Sequence, residues 1–68
     1  VKAISGKDFA RLLEKHGWLC MRVKGSHHVY RKEGDPARIS LPIHGNKPLK
    51  LGLLKHLMKL TGITEDEL

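Results

Sequence analysis

The stretch Leu19-Cys20-Met21-Arg22-Val23-Lys24-Gly25-Ser26-His27-His28-Val29-Tyr30-Arg31-Lys32 decides the fold. Leu19, Met21 and Val23 alternate with Cys20, Arg22 and Lys24, a period of two that gives a half-buried strand one apolar and one basic side. Gly25-Ser26 is a turn dipeptide, and His28 to Lys32 has the β-branched and aromatic content of a second strand. The two runs read as an antiparallel hairpin with a short turn.

The chain on either side completes a two-layer unit. Upstream, Ser5 and Asp8 have the spacing of a helix N-cap and its acidic partner, and Phe9, Leu12, Leu13 and His16 recur at helical spacing. Gly17 supplies the stop, which predicts a helix over roughly residues 5–16 with Lys7, Arg11 and Lys15 on its outer side. Downstream, Glu33-Gly34-Asp35-Pro36 reads as a turn, and Ile39, Leu41 and Ile43 alternate with Ser40, Pro42 and His44 in a third strand. Pro42 cannot donate to a ladder, so it marks an edge or a strand end. His44-Gly45-Asn46-Lys47-Pro48 breaks the chain. Leu51, Leu53, Leu54, Leu57, Met58 and Leu60 then cover a wide apolar arc of a second helix, with Lys55, His56 and Lys59 opposite. Gly62 is placed to close that helix, and Thr64-Glu65-Asp66-Glu67 has the spacing of one more N-cap.

The order helix, strand, strand, strand, helix predicts an α+β fold: a three-stranded antiparallel sheet with both helices on one face. The other face stays open. By alternation it carries Cys20, Arg22 and Lys24 from the first strand and Ser40, Pro42 and His44 from the third.

At 68 residues the chain has room for one domain, spanning 1–68, and multidomain readings are excluded. The lone Cys20 cannot close an intramolecular disulfide, and with no cysteine pair to hold zinc the reading carries no metal site. No apolar run is long enough to span a membrane, and no signal-peptide pattern opens the chain, so the expected location is the cytoplasm, with no membrane partner. Thirteen Lys and Arg stand against seven acids, three of which crowd into Glu65-Asp66-Glu67, leaving residues 1–64 at +9. Such an excess favours a polyanionic partner, nucleic acid first, through phosphate neutralisation and counterion release.

The ordered set Gly17-Trp18, Arg22, Gly25-Ser26-His27, Pro42, His44 and a last helix closed by Gly62-Ile63 resembles the HicA toxins, small mRNA interferases of toxin–antitoxin modules. The resemblance runs over nearly the whole chain. It implies a fold like that of a double-stranded-RNA-binding domain (dsRBD-like) and cleavage of mRNA without a metal cofactor. It further implies inhibition by a HicB-type antitoxin and an essential histidine in the Gly-Ser-His motif, which is His27 here.

RNA can be cut without a metal because its own 2′-hydroxyl attacks the adjacent phosphorus once a base takes that proton and an acid assists the leaving 5′-oxygen. Histidine suits either task near neutral pH. Beside the lean Gly25-Ser26 backbone, His27 is the candidate catalytic residue; its structural alternative is a turn-capping side chain. Arg22 and Lys24 across the hairpin, with Arg31 further along, are candidates to bind phosphate and stabilise the charge that develops on it. Ser26 orients His27, donates to phosphate, or serves only the turn. His44 is a candidate second acid–base group or an acceptor in a turn. Lys47 and Lys50, just before the second helix, complete the RNA-binding set. Trp18, Tyr30 and Phe9 read as packing residues, Cys20 as a small apolar filler, and His28 as facing away from His27.

Three functions compete at this level. The first is a metal-independent endoribonuclease toxin; the second is a non-catalytic RNA-binding module of the same fold; the third is an interaction domain showing a basic face to an acidic protein. Gly25-Ser26-His27 favours the first, because a simple duplex binder needs no histidine at that turn.

Overall fold

Ser5 starts the first helix: its side-chain oxygen accepts from the Asp8 amide at 3.1 Å, and the chain then coils as α1 (Gly6–Lys15). The end is equally well defined. The Gly17 amide donates to Glu14 O and the Trp18 amide to Leu13 O, the paired bonds of a Schellman closure, with Gly17 at a φ of 93°. Leu13 and Trp18 are both buried at that closure.

The computed structural model describes residues 2–68. After α1 come β1 (Leu19–Lys24), β2 (His27–Lys32), β3 (Asp35–Pro42), α2 (Leu51–Thr61) and a short 3-10 turn (Glu65–Glu67). The strands form one antiparallel sheet in the order β1-β2-β3. This is the expected α+β arrangement of three strands and two helices. Gly25-Ser26 is the whole of the first turn; Gly25 alone has positive φ there, as a tight two-residue hairpin with glycine in first place requires.

One apolar cluster holds the layers together. Phe9 and Leu13 of α1, Tyr30 of β2, Ile39 and Leu41 of β3, and Leu54 and Leu57 of α2 all belong to it, so both helices lie on the same side of the sheet. Trp18 and Ile63, from the segments that follow the helices, seal its edges. Gly6 brings the start of α1 against the end of β3: a methyl group there would run into the Pro42 carbonyl oxygen. At the far end the capping box expected at Thr64 forms, and Glu67 reaches across to His16 with Oε1 and Nε2 2.5 Å apart.

Four expectations need correction. The turn after β2 is Glu33-Gly34 alone, because β3 begins at Asp35; Pro36 is tolerated in β3 because the strand is an edge. At its other end β3 stops at Pro42, so Ile43 and His44 leave the ladder. The apolar side of β1 is not half-buried, since all six residues of the strand are exposed. Helix α1 makes its main sheet contact with β3, and no β1 residue enters the core cluster. Finally, a β-bulge between Cys20 and Arg22 breaks the alternation of β1. Cys20 sits opposite Tyr30 on the helix side, exposed rather than acting as filler, while Leu19 pairs with Arg31.

Candidate functional site

The register lays the open face out in rows. Residues directly opposite one another in an antiparallel ladder share a face. Lys24, His27 and Pro42 make the first row, Arg22, Val29 and Ser40 the second, and Leu19, Arg31 and Arg38 the third. His28 is opposite Leu41, on the buried side, which separates the two adjacent histidines as alternation predicts. The tight hairpin turn fixes this arrangement, because a slip of one residue would exchange His27 for His28.

His27 is exposed, with its Nδ1 3.4 Å from Ser40 Oγ on the neighbouring strand. That contact, at the long end of hydrogen-bond range, orients the imidazole from the adjoining row. Arg22 and Lys24 are exposed on the same face and make no ion pair among the described residues, which leaves both cations available to an anion. Ser26 is half-buried in the turn, and its carbonyl oxygen accepts from the Ile43 amide at 2.8 Å. This bond ties the hairpin turn that leads into His27 to the segment leaving β3.

Lys47 and Lys50 lie elsewhere. Together with His44 they line a cavity of about 410 Å³ between the end of β3 and the start of α2. Pro42 contributes to its wall, so the first row of the open face runs into the cavity mouth. Lys50 stands in the N-cap position of α2 without a side-chain cap bond, and the first turn of that helix carries no acid. The structure thus brings Arg22, Lys24 and His27 together on the sheet and places His44, Lys47 and Lys50 in an adjoining group.

Sequence reasoning missed Arg38. Its signal was the length of the third strand: once β3 is extended back to Asp35, alternation puts Arg38 in line with Ser40 and Pro42. Its guanidinium is already engaged, with Nη1 3.1 Å from Ala37 O. The helix side is different in character. There burial, then neighbouring Cys20 and Glu14, push the Tyr30 phenol above its ordinary value.

The open face thus presents an exposed His27 at the end of a tight hairpin, in line with Lys24 and one row from Arg22. No helix among the described residues is long and apolar enough to cross a membrane. Comparison with curated proteins gives no match. Comparison with protein families does: residues 6–63 match the family described as the HicA toxin of bacterial toxin–antitoxin systems, an alignment that runs from the first residue of α1 past the end of α2. The chain belongs to the HicA toxin family.

Proposed function

We propose that the chain is a metal-independent endoribonuclease that cleaves mRNA, with His27 as its acid–base residue, and that a HicB-type antitoxin inhibits it. In this reading Arg22 and Lys24 hold the scissile phosphate over the first two rows of the open face. The substrate's 2′-hydroxyl loses its proton and its oxygen bonds to phosphorus; the bond from phosphorus to the 5′-oxygen breaks, and that oxygen takes up a proton. The products are a 2′,3′-cyclic phosphate and a free 5′-hydroxyl. His27 handles one of the two proton transfers, and Ser40 positions its ring. The nucleophile comes from the RNA, so the chemistry calls for no metal-activated water.

The observation that carries the reading is the exposed His27 imidazole in line with Lys24 and one row from Arg22, in a chain of a toxin family. A toxin of such a module has an antitoxin partner. The +9 of residues 1–64 supports an acidic partner surface that covers the open sheet face and masks His27.

The test is cleavage of an oligoribonucleotide in EDTA by the wild-type chain and by His27→Ala. The wild type should cut and leave the cyclic phosphate, and a 2′-deoxy sugar at the scissile position should block it. His27→Ala should lose about 10²–10⁴-fold in rate, the usual worth of a positioned acid–base group, with its circular dichroism unchanged. His28→Ala should be milder. RNA binding without cleavage by the wild type would favour the non-catalytic module instead, and an absolute need for magnesium would overturn the metal-free mechanism.

A further inference from the structure

The cavity beside the open face has a composition that the catalytic reading does not use. Its wall is aliphatic: Pro42 and Pro48 with Leu49 and Leu53. Its rim is cationic, with Lys47 and Lys50 both exposed, and no carboxylate lines it. At about 410 Å³ it falls within the ~300–1,000 Å³ range of small-molecule sites. An apolar slot with a positive rim is complementary to a group that is flat and poorly solvated at one end and anionic at the other. A nucleotide is such a group.

Position narrows the choice further. Pro42 is both a wall of the cavity and the ladder partner of His27, and Ile43, between the lining residues Pro42 and His44, donates its amide to Ser26 O, which ties that side of the cavity to the hairpin turn. A strand of RNA whose phosphate rests beside His27 therefore has its neighbouring nucleotide at the cavity mouth. We propose that this cavity is a base-binding subsite that takes the base of one unpaired ribonucleotide next to the scissile phosphate. The base packs between the proline and leucine side chains, and Lys47 and Lys50 hold the phosphate attached to it. A paired base, already stacked in a helix, has no access to the slot, so the subsite selects single-stranded RNA. The inference rests on the endoribonuclease reading for the identity of the ligand and is tested by a separate readout.

The experiment is an NMR titration of the 68-residue His27→Ala chain with each of the four ribonucleoside 3′-monophosphates, and with inorganic phosphate as the control. At least one nucleotide should shift the methyl signals of Leu49 and Leu53 saturably, whereas phosphate alone should move only the Lys47 and Lys50 region. Leu53→Trp, which fills the slot, should weaken nucleotide binding roughly tenfold or more, the scale of one lost base contact. Lys50→Ala, at an exposed position, should weaken it too and serves if Leu53→Trp fails to fold. Leu49 and Leu53 signals that no nucleotide moves beyond the phosphate control overturn the proposal, as does unchanged affinity in both variants. Cleavage by the wild-type chain is followed in parallel. If RNA is cut while the slot stays silent, the subsite alone falls; if nucleotides bind as described and no RNA is cut, the subsite stands and the catalytic reading falls.

Discussion

β1 and β3 are the two edges of the same sheet, and each places apolar residues at alternate positions, yet they differ in nearly everything that follows from it. In β3, Ile39 and Leu41 are 1% and 0% exposed beneath the helices. In β1, Leu19, Met21 and Val23 remain 62%, 51% and 56% exposed. Alternation in the sequence does not establish that another layer covers the apolar residues, nor, in β1, that they share a side: the bulge turns Leu19 onto the open face while Val23 stays on the helix side. α1 is pinned by Gly6 to the end of β3 and spends its apolar face there, which leaves β1 held by ladder bonds to β2. The candidate site straddles the two regimes: Ser40 and Pro42 stand on the anchored edge and Arg22 and Lys24 on the uncovered one.

The sharpest way to break this contrast is to truncate one residue on each edge. Leu41→Ala should cost about 2–5 kcal/mol, a large part of what a domain of this size has, whereas Val23→Ala should cost within about 0.5 kcal/mol. Urea unfolding of both variants checks this, and comparable losses would mean that β1 is buried in solution. Next in size is Gly6→Ala. Alanine gains up to about 1 kcal/mol of helix propensity over glycine, but its methyl meets backbone at Pro42 and cannot be relieved by a side-chain rotation, so a net loss of about 1–3 kcal/mol is expected. A neutral or raised unfolding midpoint would show that α1 is not pinned to β3.

The smallest effect concerns neither edge but the turn that closes the chain against α1. The Thr64 amide, donating to Glu67 Oε2 at 2.9 Å, and next the His16 imidazole, hold the Glu67 carboxyl below the ordinary carboxylate range. A lowered folded-state value means that the contribution is complete above the ordinary value of 4.5 and is lost as pH falls through the lowered one. Glu67 is exposed, so the change should be slight. In Glu67→Gln, the fall of the thermal midpoint on acidification from neutral to about pH 3 should be shallower than in the wild type. Equal slopes would remove Glu67 from the acid response.

Much of this architecture was legible in the sequence because its signals are local. Ser5 and Gly17 bound α1 through hydrogen bonds within a turn or two of chain, Gly25-Ser26 sets the hairpin, and the separation of His27 from His28 follows from pleating alone. The errors came where distant contacts decide. A bulge at Met21 leaves no local mark, so alternation alone puts Cys20 on the wrong side. Pro36 reads as a turn residue until the edge position of β3 is known. The face bearing Arg22, Lys24 and His27 could be anticipated because alternation and the turn place it. The cavity could not, because Pro42, Leu49 and Leu53 meet only once α2 has docked.

Trp18 gives the molecule an optical consequence. It is the only tryptophan in the chain, and at 1% exposure it sits where α1 closes onto the core, on the far side of the sheet from His27. The colour of its emission therefore reports the entry of water into that junction without a label. A macromolecule landing on the open face would leave the emission colour unchanged as long as the helices stay seated, while any binding that levers α1 off the sheet would shift it to the red. Intrinsic emission thus distinguishes occlusion of the site from distortion of the fold that carries it.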